Sequence, residues 1–319
     1  MTIRERLSRG IEPEIAALRR LRAARRLGEI VFFVLLWAAA IGLGLAAFDL
    51  QGAAAWAGRI LSVAMAAAAL NAFYLLSHEG HHQLLFRRPA LNHLANVLLC
   101  VPLLHAPTAY RVLHTLHHRH LGGPGDPDHF HNYTTSARLR WALHWVRLTM
   151  GMLVYMPLIP VIAFRRATVS ERRAIVLEYA AMTAVWIAVF ASLPIGTLFA
   201  VWLGPGIVVG YVSAVRAVAQ HALTDADDPL LASRSVTSNR LVAFLLLNEN
   251  FHLEHHLFLE IPSYHLPRLR TLLQGRLPHT VDAPSYSRFM AGFVGRFLRG
   301  DESIFGYRRH ATGTEPSAP

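Results

Sequence analysis

Residues 30–48 read IVFFVLLWAAAIGLGLAAF, nineteen residues without a charge and rich in Phe, Val, Leu and Ala. A helix needs about 20 mostly apolar residues to cross a bilayer core, so this stretch predicts a membrane span. Ile60 to Leu76 gives a second apolar run after a connection carrying Asp49 and Arg59. It is broken only by Ser62 and Asn71 and extends back over Ala53 to Ala57. Tyr179 to Val215 is 37 residues without a charge, too long for one span, and Pro194-Ile195-Gly196 near its middle marks a turn. The runs predict an all-α integral membrane protein with four transmembrane helices in two hairpins, over about 30–49, 55–76, 176–194 and 197–217.

Composition agrees. The 319 residues are 53% hydrophobic and 16% charged with a mean hydropathy of +0.32, against about 45–50% and 25% in soluble domains. The net charge of +11 comes from 31 basic residues, all of them arginine. In a hydrophilic chain this would suggest nucleic acid, but here the arginines cluster at the flanks of apolar runs, and no nucleic-acid partner is expected. Eight precede residue 27, Arg87 and Arg88 follow the second run, and Arg165, Arg166, Arg172 and Arg173 precede the third. The two outer connections hold only Arg59. The bias predicts that both termini and all the histidine clusters face the cytoplasm. Arginine to the exclusion of lysine points to a GC-rich bacterial genome, hence to the inner membrane. Cys100 is alone, which excludes an intramolecular disulfide or a cysteine-ligated cluster, and within Leu98-Leu99-Cys100-Val101-Pro102 it reads as a core residue.

Three shorter runs, Leu94 to Leu104, Leu148 to Phe164 with Pro157 and Pro160, and Leu241 to Leu247, are read as interfacial or re-entrant. Counting Leu148 to Phe164 as a span would set the histidines after the fourth span on the opposite face from those after the second. The expected organisation is a basic juxtamembrane helix over 1–28, a membrane unit over 29–275 and a cytoplasmic tail over 276–319. In the first, Leu18, Leu21 and Leu27 oppose a row of arginines, a pattern for lying on an anionic leaflet. Its charged part is too long for a signal peptide, so it is read as retained. In the tail, Phe289 to Arg299 reads equally as a leaflet-bound helix or a solvated basic segment, and Ala311 to Pro319 as disordered.

Nineteen histidines are the anomaly. Three clusters share one spacing: His78-Glu79-Gly80-His81-His82, His114-Thr115-Leu116-His117-His118 and His252-Leu253-Glu254-His255-His256. Positions i, i+3 and i+4 share a helix face, so each cluster aims two or three imidazoles at one point. His93, His105, His144, His265, His279 and His310 read as ordinary core or surface residues. Imidazoles suit Fe, Zn, Cu or Ni, and eight of them exceed what one ion takes, whereas two ions use eight or nine. His221, in Gln220-His221-Ala222 after the fourth span, is the candidate ninth ligand.

Three other readings compete. The first cluster also matches H-E-x-x-H, in which Glu79 would serve a membrane zinc metalloprotease as general base. That leaves the other two clusters unexplained. Glu79-x-x-His82 and Glu249-x-x-His252 match the pairs of four-helix carboxylate di-iron proteins, which need two further glutamates. A metal transporter would carry its ligands near the midplane and show repeated halves, but these histidines follow the spans and no repeat is present.

The sequence resembles the integral-membrane fatty acid desaturase superfamily, which includes carotenoid ketolases and hydroxylases and alkane hydroxylases. The likeness rests on H-x3-H at His78 and His82, H-x2-H-H at His114, His117 and His118, and H-x2-H-H at His252, His255 and His256. The flanks Phe86-Arg87-Arg88, Leu91-Asn92, His118-Arg119-His120, Asp126-Pro127-Asp128 and Asn248-Glu249-Asn250 match too, over roughly residues 30–275. The resemblance implies two non-haem iron ions in a cytoplasmic cap, O2 as oxidant and a separate electron donor. The implied metal ligands are the eight box histidines plus His221. His81 is then spare and reads as a residue supporting the ligands. Asp128 and Glu254 are expected to orient imidazoles, and Asn248 to hold a metal-bound water. Two departures are Leu257-Phe258-Leu259, where the family often has Leu-Phe-Pro, and His81 beside His82; both bear on substrate rather than metal. The family leads to an O2-dependent oxidoreductase that introduces a double bond into a fatty acyl chain. The alternative on the same scaffold is a hydroxylase or ketolase of a carotenoid, alkane or other lipid. With no haem motif, cysteine set or G-x-G-x-x-G visible, the electrons are expected from a partner such as ferredoxin. Ala64, Ala66, Ala67, Ala68 and Ala69 read as close helix packing ahead of a substrate slot.

Overall fold

The computed structural model describes residues 1–305, and for residues 152–154, 302 and 305 the backbone alone; His310 and the expected disordered end, 311–319, lie outside the described residues. In chain order the helices are α1 (Ile3–Ser8), α2 (Glu12–Leu18), α3 (Ala23–Ala46), α4 (Gly52–His81), α5 (Pro89–Cys100), α6 (Pro107–His120), α7 (Ala137–Met150) and α8 (Met152–Arg166). They continue as α9 (Val169–Ser192), α10 (Ile195–Leu198), α11 (Gly204–His221), α12 (Arg240–Leu245), α13 (His252–Leu257), α14 (Leu266–Leu273) and α15 (Tyr286–Leu298). No strand occurs among the described residues, only a lone bridge between Val236 and Ala283. Four helices are long and apolar enough to cross a bilayer: α3, α4, α9, and α10 run into α11 through a π-helical turn, Phe199–Leu203. The protein is thus an all-α integral membrane fold.

α4 is the centre of the bundle. Its apolar stretch is 67% buried, against 17% in α3 and α9, whose outer residues face lipid. Small residues let α3 press against it: a Cβ on Gly44 would stand 2.7 Å from Ser62 Oγ, whose hydroxyl donates to the Ala40 carbonyl at 2.7 Å. Ala66, Ala67 and Ala69 are buried nearby and serve helix packing, while Ala64 is exposed and Ala68 half-buried.

α5 and α6 meet at 97°. The pair begins just past His82 and returns to it, with His82 Nε2 2.9 Å from His114 Nε2, so it re-enters rather than crosses. Irregular backbone at membrane depth costs several kcal/mol per unpaired group. Here the turn is satisfied from outside: the indole N–H groups of Trp186 and Trp202 donate to the Val101 and Pro102 carbonyls at 2.9 and 2.8 Å. The start of α6 is capped in the same way, Thr108 N donating to Glu178 at 2.9 Å.

Both chain ends differ from expectation. The single basic helix over 1–28 is instead α1, α2 and the first turn of α3. Leu7, Ile15 and Leu18 are buried against Leu253, Phe258 and Leu266, so α1 and α2 turn their apolar face to protein, while Leu21 is half-buried and Leu27 is 53% exposed. Arg4 and Arg19 pair with Glu260. At the other end α15 is neither leaflet-bound nor a solvated tail. Phe293 and Phe297, each 1% exposed, pack with Leu148 of α7 and Val218 of α11. The packed unit therefore runs past the expected boundary at 275.

Candidate metal centre

His78 and His82 end α4, His114, His117 and His118 end α6, and His221 ends α11. The i, i+3, i+4 spacing sets each group on one face, and the bundle brings those faces together with α13. Arg234 fixes the end of α11 by donating to the carbonyls of Ala219, Ala222 and Leu223 at 2.6–2.8 Å. The third cluster needs a sharp reversal ahead of it. Leu247 and Asn248 supply it with φ of 47° and 64°, and the Asn248 carbonyl accepts from Phe251 N at 3.0 Å. Gln220 ties this loop to α11 by donating to the Glu249 carbonyl at 2.7 Å.

The nine histidines fall into two groups. In the first, ring nitrogens of His78, His82, His114, His118 and His255 all lie within 4.8 Å of one another. His114 Nε2 is 2.9 Å from both His82 Nε2 and His118 Nε2, and His118 Nε2 is 3.4 Å from His255 Nε2. In the second, His117, His221 and His256 meet the same 4.8 Å criterion, and His252 Nε2 is 2.9 Å from His221 Nε2 and 3.1 Å from His256 Nε2. The groups abut, the His118 and His256 rings being 4.4 Å apart.

These spacings fit metal ions. Imidazole nitrogens bound at about 2.0–2.1 Å to one ion stand about 2.8–3.4 Å from each other across octahedral to tetrahedral angles. A neutral imidazole has one N–H, so the converging Nε2 contacts are not all hydrogen bonds. Burial pulls His252 down to about 4 and holds His255 and His256 well below the usual imidazole range. All three are therefore neutral near pH 7 with a lone pair to give. The histidine clusters are able to hold metal.

The groups behind the imidazoles differ from expectation. Asp126, not singled out in the sequence, places Oδ1 3.1 Å from His117 Nδ1 and also accepts from Gly122 N and Asp128 N at 2.7 and 2.9 Å. Burial acts to raise this carboxyl, but His117 and the two backbone N–H groups outweigh it and hold it low. Asp128 is 3.7 Å from the same nitrogen and accepts the Tyr155 hydroxyl at 2.9 Å. Glu249, fully buried, lies 3.4 Å from His78 Nδ1 and 3.9 Å from His252 Nδ1, one carboxylate facing both groups. Glu254 does not orient an imidazole: two residues after His252 it points to the opposite helix face, where it accepts from Ser235 and pairs with Arg270 at 2.7 Å. His81 lies outside both groups, with Nδ1 3.1 Å from Asn96 Nδ2. Glu79 pairs with Arg26 and accepts from Ser263 N at 3.1 Å, which takes the metalloprotease's general base out of play.

A cavity of about 120 Å³ adjoins the centre, lined in part by Tyr74, Tyr110, Tyr155 and Leu158. The Tyr110 ring stacks on His114 at 5.7 Å.

A helical membrane bundle with two converged imidazole groups at one end defines a class, that of histidine-box membrane proteins with a centre able to hold metal. Residues 54–287, well over half of the chain, match the sequence model of the family described as fatty acid desaturase, and the chain belongs to that family of oxidoreductases. No curated protein matches the chain.

Proposed function

We propose that the protein is a di-iron, O2-dependent desaturase acting on the acyl chain of a membrane lipid. The observation that carries the reading is the division of nine imidazoles into groups of five and four beside a mainly apolar cavity. An all-nitrogen donor set of this size suits two iron ions, which, when bound, supply the oxidising power that cleavage of an unactivated C–H bond demands. His78, His82, His114, His118 and His255 would hold one ion, and His117, His221, His252 and His256 the other. Asp126, hydrogen-bonded to His117, would keep the far nitrogen of that ring protonated so that Nε2 faces the metal, and the Glu249 carboxylate, 3.4 and 3.9 Å from Nδ1 of His78 and His252, would favour the same tautomer there by its charge. Desaturation removes two hydrogens from a CH2–CH2 unit. With two electrons from a donor and two protons, O2 leaves as two waters. The electrons come from a separate acidic carrier of the ferredoxin kind, drawn to the arginine-rich side, which the positive-inside bias makes cytoplasmic.

A mass-spectrometric lipid profile of a host expressing the chain, against its His255→Ala variant, tests this. The expected product is two hydrogens lighter and absent in the variant. A product that gains oxygen would move the assignment to a hydroxylase or ketolase, and full activity in the variant would remove the site.

A further inference from the structure

Tyr74 lies one helical turn before His78 on α4, and Tyr110 one turn before His114 on α6. Their hydroxyls are 2.8 Å apart and hydrogen-bonded, so the pair forms a bar directly on the membrane side of the five-histidine group. Both rings are fixed. Tyr110 stacks on His114, and the buried Arg216 guanidinium sits 5.3 Å from the centre of the Tyr74 ring. Tyr74 also divides two cavities. On one side is the 120 Å³ space beside Asp128 and Tyr155; on the other is a second of about 100 Å³, lined by Leu70, Leu104, Met156, Trp202 and Gly206. Tyr74 lines both, and the deeper one is almost wholly apolar.

We infer that the Tyr74–Tyr110 pair is a specificity-determining partition: it sets how much of an alkyl chain passes beyond the metal centre into the deeper cavity. The inference rests on the lipid-oxidation reading above. A chain in the first cavity lies against Tyr110, whose ring stacks on His114, and meets the bar, and the methylenes that fit behind Tyr74 fix which carbon lies nearest the centre. In an apolar pocket each methylene gained or lost discriminates by about 10-fold or more, so a rigid bar is enough to select length.

Two variants push in opposite directions. Tyr74→Ala merges the cavities. Gly206→Leu fills the deeper one, and a Cβ on Gly206 meets no atom within 4 Å, so the helix accepts it. The measurement is the chain-length distribution and position of the new functional group in lipids from cells expressing the wild type and each variant, with metal content recorded in parallel. The ratio of longer to shorter products should rise about 10-fold in Tyr74→Ala and fall by a similar factor in Gly206→Leu, with metal content unchanged. Should Tyr74→Ala not fold, Gly206→Leu alone decides. Identical distributions in an active wild type and an active Gly206→Leu overturn the partition and leave the function standing. Absence of any lipid product from a metal-loaded wild type overturns the function and the partition with it.

Discussion

His117 Nδ1 stands 3.1 Å from Asp126 Oδ1, while Asp128, two residues on, stands 3.7 Å away and takes the Tyr155 hydroxyl instead. Carboxylates behind ligating imidazoles are worth about 10–100-fold in metal affinity. Asp126→Asn should therefore weaken the four-histidine group by about that factor and leave the five-histidine group filled, and Asp128→Asn should do much less. Metal titration with elemental analysis checks both.

Glu249 faces the two groups at once, at 3.4 Å from His78 Nδ1 and 3.9 Å from His252 Nδ1. A neutral amide there cannot favour the N–H tautomer of either ring in the same way. Glu249→Gln should reduce occupancy of both ions together, by about 10-fold or more in affinity, in contrast to the single-ion loss in Asp126→Asn. Loss of one ion alone would show that the carboxylate serves only one group.

Arg26 and Glu79 form a salt bridge in which neither side chain exceeds 1% exposure, joining the first turn of α3 to the first histidine box. Removing one partner from such a pair costs about 3–5 kcal/mol because it strands a buried charge, while replacing both with apolar residues is far milder. Arg26→Met should lower the thermal midpoint sharply, and Arg26→Met with Glu79→Leu should recover much of it. Peptidase activity should be absent throughout, because Glu79 is a structural partner and not a base.

The four apolar helices were legible because a bilayer demands charge-free length, as Ile30 to Phe48 supplies. The three histidine clusters were visible because i, i+3, i+4 spacing is a property of one helix, but their division into groups of five and four was not, since the second and third clusters each split between the two groups. What failed depended on neighbours. Asp126 and Asp128 are equally plausible in the sequence, and only the turn accepting Gly122 N and Asp128 N selects Asp126. Glu249 stood out only in a competing carboxylate pattern, and its place between the two groups was not readable because it depends on left-handed Leu247 and Asn248, and leucine at positive φ gives no turn signal. In α1, α2 and α15 the pattern showed which face is apolar but not whether lipid or protein covers it.

For α15 the structure covers that face with protein, and a measurement checks it. Phe297 is 1% exposed with the Trp145 ring centre 5.0 Å from its own, and the Trp141 indole N–H donates to its carbonyl at 3.2 Å. Truncating a buried phenylalanine costs about 3–5 kcal/mol, from lost transfer energy and the cavity left behind. The neighbouring Leu298 is 58% exposed and fills no such socket. Phe297→Ala should therefore lower the unfolding midpoint in detergent by several degrees, while Leu298→Ala leaves it nearly unchanged. A helix held on a leaflet would instead show little change in detergent for either variant. The difference between the two midpoints therefore reports whether protein or lipid covers that face.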